Sequence, residues 1–135
     1  MVVVEGQMDV IALHRLGFPV AVATSGTSLT EEHIKILKRY TDTVYFLFDS
    51  DSAGQNATQR ALSLAYQQDL FPKQLILPSA YKDADDLANS PSGKEHFAQI
   101  LQNAQDGFSA VFSYLKTQHD LNSPIDKQKI LNILF

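Results

Sequence analysis

Cysteine is absent from all 135 residues, which excludes a disulfide scaffold, thiolate zinc sites and cysteine nucleophiles. No apolar run approaches the ~18 residues of a membrane helix, and no charged-then-apolar leader pattern opens the chain. The expected compartment is a reducing cytoplasm, with no membrane contact. A G-x-x-x-x-G-K-[ST] loop is also missing, so ATP-driven motor chemistry has no support. Internal repeats and low-complexity linkers are not found. What remains is an ordinary globular composition, 44% hydrophobic and 19% charged. The length suits one main core and would cramp two full domains.

Positive charge is scarce as well: 11 Lys and Arg stand against 15 Asp and Glu, for a net charge of −4. Taken whole, that balance argues against binding to phosphate backbones. Location changes the argument. Seven of the acids (Glu5, Asp9, Asp49, Asp51, Asp83, Asp85, Asp86) fall in three short motifs, and the eight others are outnumbered by the 11 bases. Outside the motifs the chain is mildly basic, and bound cations would invert the sign of the motifs themselves.

The hydrophobic pattern predicts a repeating strand, turn and helix. Val2 to Val4 reads as a strand and Met8 to Leu16 as a helix stopped by Gly17. Val20 to Ala23 is a second strand, and Thr30 can cap a helix that buries Ile34 and Leu37, with Glu31 and Glu32 in its first turn. Thr43 to Phe48 is apolar nearly throughout, as in a parallel-sheet strand covered on both faces. A helix from Gln55 to Gln68 comes next, with Ala57, Ala61, Leu64 and Ala65 on one stripe, and Gln74 to Leu77 supplies a fourth strand. Beyond Pro78 the pattern is helical only: Asp83 to Asn89, Gly93 to Ala104, Phe108 to Thr117, and a last helix starting at Ser123-Pro124. These units predict right-handed crossovers in an open α/β sheet of four strands. The run Ile130, Leu131, Ile133, Leu134, Phe135 stops at the final residue without a cap. The expectation is a fragment of a longer protein with a truncated helical tail, whose exposed Leu131, Leu134 and Phe135 would promote association.

Ligands of such sheets bind beyond the carboxyl ends of the strands. Glu5 stands at that end of the first strand, Asp49 and Asp51 at that end of the third, and Asp83 and Asp85 shortly after the fourth. Each acid alone is more often a solvated loop residue or a helix cap; three groups on one rim reverse those odds. Crowded carboxylates repel and raise one another's pKa unless a cation joins them, and an all-oxygen set without His or Cys selects Mg²⁺ or Mn²⁺. A calcium EF-hand loop counted from Asp49 fails, because Ala53 and Arg60 occupy ligand positions five and twelve. A phosphoryl-accepting Asp49 assisted by Asp51 is chemically allowed but leaves Glu5 without a role.

Four ordered motifs carry a resemblance: Glu5-Gly6-Gln7-Met8-Asp9, Gly26-Thr27-Ser28, Asp49-Ser50-Asp51-Ser52-Ala53-Gly54, and Lys82-Asp83-Ala84-Asp85-Asp86-Leu87. Together they are similar to the TOPRIM domain of bacterial replicative primases of the DnaG type. The match covers residues 1–105, and 106–135 resembles the start of the helical subdomain that comes after it. The resemblance implies a Rossmann-like three-layer α/β/α fold with a mainly parallel four-stranded sheet. It also implies Mg²⁺- or Mn²⁺-dependent synthesis of short RNA primers from ribonucleoside triphosphates on single-stranded DNA. By position, Asp49, Asp51, Asp83 and Asp85 match metal-binding carboxylates, Asp9 a further acid of the site, and Glu5 a ligand or proton handler beside the chemistry. Glu5, Asp49 and Asp51 are thus the expected catalytic residues. Paired ions there can steady both the attacking 3′-oxygen and the leaving pyrophosphate.

The sequence departs from the family at Gln7, where an aromatic is usual, at Ser50, often Gly, and at Ala84, often Pro. None of these removes a carboxylate. The basic subdomain, the zinc-binding domain and the helicase-engaging domain of the family lie outside the sequence, so contact with the replicative helicase is expected through segments not present here, in a bacterial nucleoid setting. The alternatives are a TOPRIM nuclease using the same metals and an inactive nucleic-acid-binding fragment. Lys82 is a weak candidate for nucleotide or DNA phosphate, against the plainer reading of a surface ion pair. His14, His33, His96 and His119 share no spacing and read as solvated. Lys35, Lys38 and Arg39 read as a solvated helix face rather than a phosphate patch, Gly26-Thr27-Ser28 as a site-shaping loop or a plain turn, and Phe108 and Phe112 as helix packing.

Overall fold

Three consecutive valines, all buried, make β1 (Val2–Val4) a strand covered on both faces. The computed structural model describes residues 1–134. After β1 come α1 (Gln7–Arg15), the edge strand β2 (Ala21–Ala23), α2 (Glu31–Lys38), β3 (Thr43–Leu47), α3 (Ser52–Gln67) and β4 (Phe71–Gln74). The chain continues through α4 (Ala84–Asn89), α5 (Gly93–Gln102), β5 (Gln105–Asp106), α6 (Gly107–Gln118) and α7 (Pro124–Leu134). The strands lie in the order β2-β1-β3-β4-β5, parallel except for β5, which runs antiparallel to β4.

The three-layer expectation holds, with helices on both faces. Val44 and Phe46 point to one layer, where Ile34, Leu62, Ala65, Val111, Leu115 and Ile130 pack. Val2, Val4 and Leu47 point to the other, against Leu13, Leu87, Phe97 and Ile100. Helices α2, α3, α6 and α7 cover the first face, and α1, α4 and α5 the second. Alternation along β3 is what lets one strand serve two cores.

Several expectations need correcting. The sheet has five strands, not four: β5 is two polar residues on the edge, too short to carry a period-2 signal, and its hydrogen bonding to β4 alone defines it. β4 starts at Phe71 rather than Gln74, because Asp69 adopts φ 55° and turns the chain out of α3 directly into the ladder. The Leu75 N–H still reaches the Phe46 carbonyl at 2.9 Å, and Leu75 and Leu77 are buried, so the expected segment runs on extended beside β3. The inner stripe of α3 is Gly54, Thr58, Ala61, Leu62 and Ala65, with Ala57 and Leu64 at its margin. Phe108 and Phe112 pack along α6 as expected, their rings stacked, with Phe108 44% exposed.

The expected boundary between 1–105 and 106–135 falls inside β5. Beyond it, Ala110, Val111, Leu115 and Ile130 share one buried cluster with Val3, Phe46 and Leu62. In the tail, Leu131 is half exposed while Leu134 packs partly against that cluster; Phe135 lies outside the described residues.

Candidate functional site

The parallel register brings the first two motifs together. Val4 pairs with Leu47 across β1 and β3, so Glu5 and Phe48 leave the sheet side by side. The Glu5 carboxylate then accepts the backbone N–H of Asp49 at 3.0 Å across 44 residues of sequence. From the other flank, the Ser25 N–H donates to the Glu5 carbonyl at 3.0 Å, and Thr24 and Thr27 tie the Gly26 loop down behind it. Ser25 and Gly26 both take positive φ, at 55° and 77°, so this loop is a shaped element built against Glu5 and not a plain turn.

Two of the acids also cap helices. Asp51 Oδ1 accepts the Gly54 N–H at 2.7 Å at the start of α3, and Asp83 Oδ1 accepts the Asp86 N–H at 2.8 Å at the start of α4. Capping and ligation are compatible, because a carboxylate has lone pairs to spare after one N–H is satisfied. Gly54 is required for close approach: a Cβ there would lie 2.1 Å from the Asp49 carbonyl oxygen.

Electrostatics show which acids share a neighbourhood. Burial pushes the Asp9 carboxyl up, the Gly6 N–H bonded to it at 3.1 Å pulls it down, and Asp49 and Asp83 add further upward pressure. Partial shielding from solvent likewise raises Asp49, reinforced by Asp51 and Asp83 and opposed by Lys82. Asp9 and Asp49 therefore each feel neighbouring acids, Asp83 being common to both, with Glu5 bonded to the Asp49 N–H and Lys82 a cation that faces Asp49. Asp85 is engaged elsewhere: Arg15 Nη1 lies 3.4 Å from its carboxylate, and the Asn89 amide donates to it at 3.2 Å. Among the described residues, no three acids or histidines are gathered tightly enough to form a closed ion cage. The donor set itself, carboxylate oxygen with like-charge repulsion, fits a hard divalent cation, which would relieve that repulsion as the side chains turn in.

Clefts flank the acids. One, of about 320 Å³, runs from Glu5 along Gly26, Thr27 and Ser28 to Arg60 on α3. The other, also about 320 Å³, starts at Asp49 and Ser50 and is lined by Gln59, Gln74, Gln105 and Tyr114. Arg60 and these amides carried no signal in the sequence, since nothing in their spacing told them from other surface residues of their helix and strands. Three histidines differ from the solvated expectation: His96 is bonded to Tyr81, His33 accepts the Thr30 N–H at 3.3 Å, and His119 lies 3.8 Å from Asp126. Lys38 donates to the Gln68 carbonyl at 2.6 Å, so it fastens a helix end.

An open, mainly parallel sheet with a carboxylate rim and a glycine-dependent turn in its second acid motif defines a TOPRIM-type domain. The chain belongs to the Toprim-like family, whose pattern matches residues 2–88. Over 134 residues it is 36% identical to the DNA primase of Campylobacter jejuni, covering 99% of this chain and 22% of that protein. Its fold superposes on the Escherichia coli primase catalytic core with a TM-score of 0.84 at 36% identity, covering 96% of this chain and 42% of that one. It is also similar to a DnaG primase catalytic domain bound to single-stranded DNA, with a TM-score of 0.83 and 36% identity, covering 96% of this chain and 41% of that one. The chain thus spans about a fifth of the curated relative and about two-fifths of the solved cores.

Proposed function

We propose that this chain is the metal-binding catalytic part of a bacterial DNA primase, which builds short RNA primers on single-stranded DNA in the cytoplasmic nucleoid. The observation that carries the reading is the Glu5 carboxylate seated on the Asp49 N–H, beside Asp9 and Asp49, whose carboxyls are pushed up by burial and by neighbouring acids. Similarity to primases along almost the whole chain supports it.

In this reading Asp49, Asp51 and Asp83 hold Mg²⁺ or Mn²⁺, with Glu5 and Asp9 beside them and Asp85 joining when Arg15 releases it. Bound ions would neutralise the incoming triphosphate and stabilise charge on the departing pyrophosphate. The chain's own groups do the rest. Glu5 is fixed where it can accept a proton from an attacking hydroxyl, Lys82 and Arg60 offer cations to phosphate, and the two clefts lead nucleotide and template strand toward the acids. Template grip, initiation and helicase contact come from other segments of such an enzyme, so the isolated chain primes weakly or not at all.

Glu5→Gln and Asp49→Asn, placed in the complete primase carrying this segment, are expected to abolish primer synthesis while leaving the melting temperature nearly unchanged or higher. Normal priming by both variants overturns the assignment. Mn²⁺-dependent degradation of DNA or RNA by the chain, with no use of nucleotides, points instead to a nuclease.

A further inference from the structure

A polar latch outside the acid site holds the third acid motif in place. The Tyr81 hydroxyl is hydrogen-bonded to His96 Nδ1 on α5 and lies 3.3 Å from Ser90 Oγ at the end of α4. The two rings pack at 5.7 Å between centroids. Tyr81 immediately precedes Lys82 and Asp83, and its own N–H closes a turn onto the Pro78 carbonyl at 2.9 Å. Helix α4 has only 6 residues, so the Tyr81 side chain spans it, joining its entrance to its exit. Asp83 caps the entrance and the Lys82 N–H reaches Asp86 at 3.1 Å. Helix α5 sits directly against α4 in this arrangement: Gly93 packs so close that a Cβ would stand 2.3 Å from the Leu87 carbonyl oxygen.

A six-residue helix is below the length that sustains itself in water. Something must hold it. The buried Ala84 and Leu87 supply one anchor, Arg15 of α1 supplies a second through Asp85 and Asn89, and the polar contact of Tyr81 with Ser90 and His96 supplies a third, the one that ties the entrance of the helix to its exit. We propose that Tyr81 and His96 are positioning residues: by bracing α4 from behind they set where the Asp83 carboxylate stands and so tune the affinity of the acid rim for a divalent cation. The effect on metal rests on the function proposed above; the bracing of α4 does not.

Two readouts on the whole chain test this separately. Amide hydrogen exchange reports opening of the loop directly, and Tyr81→Phe, which keeps the ring, and His96→Leu should each speed exchange at Lys82 and Asp86 about fivefold, the equivalent of one net hydrogen bond. His96→Gln, which keeps an acceptor, should restore part of the protection. Titration with Mn²⁺ alone should show roughly fivefold weaker binding in Tyr81→Phe, and that loss should vanish in an Asp83→Asn background, a dependence that general loosening of the fold would not produce. Unchanged exchange in Tyr81→Phe overturns the latch. Faster exchange with Mn²⁺ affinity unaltered overturns its positioning role. A wild-type chain that binds no Mn²⁺ overturns the metal reading of the rim, and the exchange rates still decide the latch.

Discussion

Asp49 is placed where a carboxylate is uncomfortable. Its pKa is raised by shielding and by Asp51 and Asp83, and a raised acid pKa means that the folded state holds its proton more tightly than the unfolded chain does. The resulting penalty on stability begins as pH rises above the unfolded value and is complete above the folded one. Asp49→Asn should therefore melt at a higher temperature than wild type at neutral pH without divalent ions, and the gain should shrink in acid; calorimetry at two pH values checks it. Asp106 behaves oppositely. The Ser109 hydroxyl and N–H hold its carboxyl below the usual range as it caps α6. That contribution is present at neutral pH and is lost as pH falls through the lowered value. Asp106→Ala should cost about 1 kcal/mol at pH 7, a normal cap loss, with the difference from wild type closing toward low pH in denaturant titrations.

Glycine decides the geometry of elements near the rim. Gly54→Ala drives a methyl into the Asp49 carbonyl, and the clash is with backbone that has nowhere to go. A loss of about 3 kcal/mol is expected, the upper end for overpacking, together with displacement of Asp49; urea unfolding and Mn²⁺ titration measure the two effects. The order and type of the large elements were legible in the sequence because each carries a clear period: Ile34 and Leu37 face inward as their spacing requires, and β3 alternates between two cores. β5 was not legible, since Gln105 and Asp106 have no apolar pattern and owe their conformation to β4. Nor was the position of β4, because Pro72 is an unusual strand residue and the turn that starts it depends on the left-handed Asp69.

At the scale of the whole molecule, the helices after β5 are part of the same structure as the sheet. Leu115 and Ile130 lie 6% and 3% exposed in the cluster that contains Phe46. Leu115→Ala should cost about 3 kcal/mol by leaving a cavity, and removing residues 107–135 should uncover the part of that face which α2 and α3 do not shield and give a chain that binds hydrophobic dyes and loses its cooperative melt. The rim was partly legible at this scale. Topology alone places Glu5 beside Asp49, while the diversion of Asp85 to Arg15 and the tie between Tyr81 and His96 arise from packing of α1, α4 and α5 that no local pattern encodes.

The triple valine of β1 has one more implication. A slide of one residue along its neighbours would offer the same side chain to each layer, so the pattern of the strand contains almost nothing that fixes its alignment. Glu5, the next residue in the chain, does the fixing. It is clasped through its carboxylate by Asp49 and through its carbonyl by Ser25. The strand is moored at its carboxyl end, and slack from an inserted or deleted valine would be taken up toward Met1, leaving the carboxylate at its berth.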